Sequence, residues 1–158
     1  AKGIIKHADA LVKVLGDGPD REKLEALAVQ LNAPVDFLGY TANELMAAYL
    51  CASDITVNSL VKSAAQSIVT KIGDYLASGN PMINTGSSPE FRAKVTADGF
   101  GANVEAEDAQ ALADAIAKLA GHASLRKIMG SKARAVAEKE FDQPRAYREI
   151  VDLLRTLL

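Results

Sequence analysis

Between Asn58 and Thr85 the chain reads NSLVKSAAQSIVTKIGDYLASGNPMINT: a strand end, a small polar loop, a helix and the next strand in immediate succession. That order marks a parallel βαβ unit. The helix is read over Gln66 to Ser78, with Gly79 as its stop and Pro81 forcing the chain to re-extend. Ile68, Ile72, Tyr75 and Leu76 recur at helical spacing and form an apolar face for a sheet. Ser67, Thr70, Lys71, Asp74 and Ser78 make the opposite stripe. A helix entered through a Ser/Ala/Gln loop at a strand's carboxyl end turns free N–H groups and a positive dipole end toward a phosphorylated ligand. The competing reading of the stripe is a solvated face, with Lys71 and Asp74 as an i,i+3 ion pair of small value.

The same alternation runs along the chain. Leu11 to Leu15 (LVKVL) reads as a strand, closed by Gly16-Asp17-Gly18-Pro19 and followed by a helix amphipathic through Leu24, Leu27, Ala28 and Leu31. Val35 to Leu38 is a second strand closed by Gly39, and Asn43 reads as the N-cap of a helix ending near Cys51. Asp54 to Asn58, Met82 to Thr85 and Gly101 to Val104 are the remaining strands. A helix runs through Phe91 and Val95, and helices over Ala109–Leu119, Ser124–Phe141 and Pro144–Leu158 close the chain. Ala1 to Ala10 resembles the tail of a helix. Five strands alternating with helices predict one α/β domain over residues 1–158, a parallel sheet with helices on both faces and a helical tail. Ligands of such sheets bind beyond the strands' carboxyl ends. The loops Gly16–Asp20, Gly39–Asn43, Asn58–Ser67 and Thr85–Glu90 all fall there.

Charge narrows the function. A net charge of −2 with mixed signs throughout leaves no footprint for nucleic acid, and four Phe, four Tyr and no Trp leave little for base stacking. No apolar run reaches the length of a bilayer span, and no signal peptide is visible. Cys51 stands alone in an apolar helical pattern and reads as a small core residue in a reducing compartment.

Several attractive sites fail on spacing. Gly16-x-Gly18 would need its third glycine at Arg21, so a structural turn is the better reading. His7 and His122 have no second ligand at metal-binding spacing, and no metal is expected. Lys13 reads as an edge or rim residue. Glu105 and Glu107 precede a helix start, where the helix dipole accounts for them. There remain Gln66, Ser67, Lys71 and Asp74, with the Gly39-Tyr40-Thr41 and Thr85-Gly86-Ser87-Ser88 loops. Together they offer an anion seat, a cation, and a carboxylate able to accept two hydroxyl hydrogen bonds. That set suits a sugar nucleotide.

VLGDGPDREKLEALA, VDFLGY, ASDITVNS and KIGDYLASGNPMINT, in this order and down to the closing FDQPRAYREIVDLL, resemble the carboxyl-terminal domain of the group-1 family of retaining glycosyltransferases. The resemblance implies a Rossmann-like donor-binding half of a GT-B enzyme. It implies transfer of a sugar from a nucleoside-diphosphate sugar to a saccharide or polyprenyl-linked acceptor held by another domain. The expected setting is capsule, O-antigen or lipopolysaccharide assembly in the bacterial cytoplasm, at the inner membrane face and with peripheral membrane association of the whole enzyme. No cofactor is expected.

In that family two glutamates eight residues apart contact the donor sugar and the ribose. Counting back from Ala77-Ser78-Gly79-Asn80-Pro81 puts Asp74 at the ribose position and Gln66 at the sugar position, so both depart from the usual residue. The pattern is similar to a subgroup carrying Gln and Asp there. The resemblance then implies backbone N–H groups of Gln66, Ser67 and Ile68 on the diphosphate, with Gly39, Tyr40 and Thr41 bordering the base. Lys71 is the expected phosphate-side cation, and no catalytic residue is assigned. The family's domain opens with a central strand that this sequence lacks between LVKVL and DITVN. Residues before Ala1, a closing-up of neighbouring strands, or another chain would fill that place. Two other functions stay open: a sugar-nucleotide epimerase or hydrolase, and a non-catalytic binding module.

Overall fold

A computed structural model describes residues 10–64 and 70–157. The elements follow in the order β1 (Val12–Leu15), α1 (Arg21–Gln30), β2 (Val35–Gly39), α2 (Asn43–Ala52), β3 (Thr56–Asn58), α3 (Lys71–Ala77) and β4 (Met82–Asn84). Then come α4 (Pro89–Asp98), β5 (Gly101–Asn103), α5 (Ala109–Ala120), α6 (Ala123–Glu140) and α7 (Gln143–Leu157). The expected helix tail over Ala1–Ala10 falls almost wholly outside the described residues, as does His7.

All strand pairing is parallel. β1 pairs with β2, while β3, β4 and β5 form a second sheet in that order. Among the described residues no strand joins the two sheets, so β1 and β3 each keep one unpaired edge. The break lies between LVKVL and DITVN, where the family resemblance places a further strand. The neighbouring strands have not closed up.

β4 is the centre of the larger sheet, and its Met82, Ile83 and Asn84 are all fully buried. Successive strand residues face opposite ways, and the two apolar residues of β4 enter separate cores. Met82 packs with Ile72 and Leu76 of α3, Phe91 and Val95 of α4, and Ala133 of α6. Ile83 packs with Val104 and Leu119, flanked by Leu112 and Ile116 of α5 and Met129 of α6. Helices therefore cover both faces of β4, which a buried parallel strand requires. Helix α6 packs along α3 through Ala133, Val136 and Ala137, and where it passes the turn after α3 a Cβ at Gly130 would stand 2.1 Å from the carbonyl oxygen of Gly79. Only a glycine on α6 lets the two backbones approach so closely.

Three expectations need correction. The apolar stripe of α1 is not covered: Leu24 and Leu27 remain 46% and 44% exposed, and the helix has no buried residue. Cys51 is exposed rather than core, because nothing described packs on that side of α2. Asn43 is the first residue of α2, and Ala42 holds the cap position without a side-chain bond. Among the described residues no helix is long and apolar enough to cross a membrane.

Candidate functional site

Parallel pairing brings the carboxyl ends of β1 and β2 together, and separately those of β3, β4 and β5. At the first pair, Gly39 ends β2 with φ +70, and its carbonyl accepts from Gly16 N at 2.7 Å. A side chain there would be strained, and its Cβ would also meet the Arg21 guanidinium at 2.7 Å. Arg21 in turn donates to Glu25 at 2.7 Å and to the Phe37 carbonyl at 3.4 Å. The Gly16–Gly18 segment is thus a structural turn clamped to β2. Beyond it, Tyr40 projects 89% exposed, while Thr41 folds its hydroxyl back onto the Gly39 carbonyl at 3.2 Å.

Helix α3 carries the remaining described candidates. Ile72 and Leu76 are fully buried, and Tyr75 packs beside them, as the apolar stripe requires. Lys71 is half-buried, and burial lowers its pKa below the ordinary lysine range. Its ammonium lies 5.7 Å from the centroid of the Tyr75 ring. Neither Asp74 nor any other described carboxylate pairs with it, so the i,i+3 ion pair of the competing reading does not form. Asp74 is exposed, and its carboxylate accepts no hydrogen bond among the described residues. Burial, with the Asp74 charge adding to it, raises the Tyr75 phenol. Gln66, Ser67 and Ile68 lie outside the described residues. No described hydrogen bond or ion pair joins Gly39–Thr41 to Lys71 or Asp74.

The loops after β3, β4 and β5 are tied to one another. Thr85 Oγ1 accepts from Leu60 N at 2.7 Å and donates to Leu60 O at 2.8 Å. Ser88 caps α4 by accepting from Phe91 N, and its hydroxyl donates to Glu90 at 3.0 Å. The backbone N–H of Glu90 and the Ser88 hydroxyl hold that carboxyl below its usual value. Arg92 donates to the carbonyls of Gly86 and Val104 at 3.3 and 3.0 Å, and to Glu105 at 2.6 Å. Glu107, at φ +65, accepts from Lys62 N. Specific partners therefore occupy Glu105 and Glu107, and Asp108 is the residue that caps α5; the helix-dipole reading of the two glutamates is corrected. Lys13 sits at the edge as expected, bonded to Asp36 at 2.7 Å.

Sequence reading missed Arg92, which nothing local distinguishes from a solvated helix residue. It also missed Asn58, Asn84 and Asn103, although a signal was there: each strand of the larger sheet ends in asparagine.

A family model described as "Glycosyl transferases group 1" matches residues 2–122. Among solved structures, the chain is similar to Anabaena Alr3699/HepE in complex with UDP, with a TM-score of 0.79 at 19% identity, over 93% of this chain and 41% of that one. The same Anabaena protein is also known in complex with UDP-glucose. The C-terminal domain of a group 1 family glycosyl transferase (LpcC) from Francisella tularensis matches with a TM-score of 0.74 at 20% identity, over 89% of this chain and 74% of that one. WaaG, a glycosyltransferase involved in lipopolysaccharide biosynthesis, matches with a TM-score of 0.69 at 19% identity, over 88% and 37%. The chain thus spans about two fifths of the length of HepE and WaaG. No curated protein sequence matches it.

Proposed function

The chain belongs to the group 1 glycosyl transferases, and we propose on that footing that it binds the nucleoside-diphosphate sugar for a glycosyl transfer completed with a further domain. One observation carries the reading. Lys71 holds a half-buried ammonium that burial disfavours and that no described carboxylate neutralises. A cation left in that condition is suited to a diphosphate, which restores the electrostatic stabilisation that burial removes. One turn along, the Asp74 carboxylate, exposed and without a hydrogen bond among the described residues, offers two acceptor oxygens to the ribose hydroxyls.

In the same reading Gln66 serves the sugar, and the N–H groups of Gln66, Ser67 and Ile68 serve the diphosphate. Gly39, Tyr40 and Thr41 border the base, with the exposed Tyr40 ring as the surface a base can cover. Charge on the leaving diphosphate is met by Lys71 and backbone dipoles without a metal ion. The anomeric configuration is retained, and the acceptor is a saccharide or polyprenyl-linked saccharide. The setting we favour is cell-surface polysaccharide assembly (capsule, O-antigen or lipopolysaccharide) at the cytoplasmic face of the membrane. The WaaG likeness and the UDP complexes of HepE support this reading.

Titration calorimetry with UDP, GDP and ADP tests it. Binding of one of them, weakened about tenfold or more in Asp74→Ala, supports the donor site. A folded chain that binds none of the three supports the non-catalytic module instead.

A further inference from the structure

The larger sheet is laced by an asparagine ladder. Register places Asn58 beside Asn84 and Asn84 beside Asn103. Asn58 Nδ2 donates to Asn84 Oδ1 at 2.8 Å, and Asn84 Nδ2 donates to Asn103 Oδ1 at 3.0 Å. Asn103 Nδ2 then donates to the Arg92 carbonyl at 2.8 Å. Every amide donates in the same direction, an arrangement in which each bond polarises the next.

This is a costly way to fill a sheet. Asn58 and Asn84 are 2% and 0% exposed, where valine or isoleucine would pack without polar groups to satisfy. The first amide is also incompletely matched, since Asn58 Oδ1 is buried with no partner among the described residues. A buried carbonyl left unpaired destabilises the fold, so its presence calls for a reason.

The reason lies at the loop after β4. Asn84 Oδ1 also accepts from Gly86 N at 3.0 Å, and Arg92 Nη1 holds the Gly86 carbonyl at 3.3 Å. Asn58 and Asn103 decide which way the Asn84 amide faces, one by donating to its oxygen and the other by accepting from its nitrogen. With that orientation fixed, the oxygen is presented to Gly86. We infer that Asn58, Asn84 and Asn103 are positioning residues: they hold the Thr85–Ser88 loop, which leaves the carboxyl end of β4 tied to the loop after β3, in a form suited to border the nucleotide-sugar donor, at some loss of stability. The inference rests on the donor-binding reading above.

Asn58→Thr and Asn58→Val separate positioning from packing, because the two side chains are nearly the same shape and only threonine keeps a hydroxyl whose hydrogen can be given toward Asn84, directly or through a water. Calorimetry uses whichever of UDP, GDP and ADP binds the unaltered protein most tightly. The valine variant is expected to bind about tenfold more weakly, the loss of one hydrogen bond's worth of ordering, with a melting temperature no lower than that of the threonine variant. Threonine recovers binding to within about threefold. In parallel, amide exchange at Gly86 quickens in the valine variant and not in the threonine one. Asn103→Ala, at the less buried end, should repeat the valine result if that variant folds poorly. Equal affinity and equal Gly86 exchange in the two Asn58 variants overturns the positioning role alone. Failure of the unaltered protein to bind any of the three nucleotides overturns the donor reading, and this inference with it.

Discussion

The ammonium of Lys71 lies 5.7 Å from the ring centroid of Tyr75, and not against the carboxylate of Asp74 one turn away. Two opposite charges at i,i+3 on one helix would ordinarily meet. Here the cation leans over an aromatic face, half-buried, and the anion stays in water. Among the described residues neither charge has an ion-pair partner, which is the feature the donor-site proposal rests on.

The first prediction concerns that cation. Lys71→Gln removes a charged hydrogen-bond donor worth about 1.5–3 kcal/mol to a phosphate. Nucleoside-diphosphate affinity measured by calorimetry should fall about tenfold to a hundredfold. The melting temperature should stay level or rise, because the half-buried charge is gone.

Proton linkage gives the second. The folded pKa of Lys71 lies below its unfolded value. Between the two, the unfolded chain binds more protons, so the Lys71 contribution to stability rises with pH. Nucleotide affinity runs the other way, falling as pH climbs through the lowered value and Lys71 loses its charge. Calorimetry across an alkaline series should show this fall in the unaltered protein and none in Lys71→Gln.

Asp74 is tested through the ligand. If its carboxylate holds the ribose, a 2′,3′-dideoxynucleoside diphosphate should bind about tenfold or more weakly than the ribonucleotide. Asp74→Ala should bind both equally. A preference for ribose that survives in Asp74→Ala removes that residue from the site.

A fourth prediction addresses the fold. Gly130→Ala places a Cβ against the Gly79 carbonyl, where backbone and not a flexible side chain must move. Destabilisation of about 1–3 kcal/mol is expected from such overpacking. It should be read as a lowered urea midpoint at unchanged slope.

Much of the fold was legible because its signals are local. Strands β1 to β5 are short apolar runs closed by glycine, proline or asparagine, and the stripe Ile72, Tyr75 and Leu76 predicted the buried face of α3. What escaped depends on partners distant in sequence. Cys51 read as core and Leu24 as part of an apolar stripe from periodicity, but periodicity says only which residues share a face, and nothing described covers those faces. Glu105 read as a helix-dipole residue because its true partner, Arg92, is brought near only by the α4–β5 turn. The asparagine ladder needed the register of three strands, and register follows from the packed sheet. Lys71 and Asp74 were found as a polar stripe; that they ignore one another emerged only with the Tyr75 ring in place.

Ile72 and Leu76 of α3 share one buried cluster with Phe91 and Val95 of α4. The helix bearing Lys71 and the helix that anchors the Thr85–Ser88 loop are therefore bolted to a common block, and close packing leaves that block little slack. Their separation works as a fixed gauge: on the donor-site proposal, a ligand spanning the two must match it in length, and any adaptation to different sugars would fall to parts of the molecule outside this block.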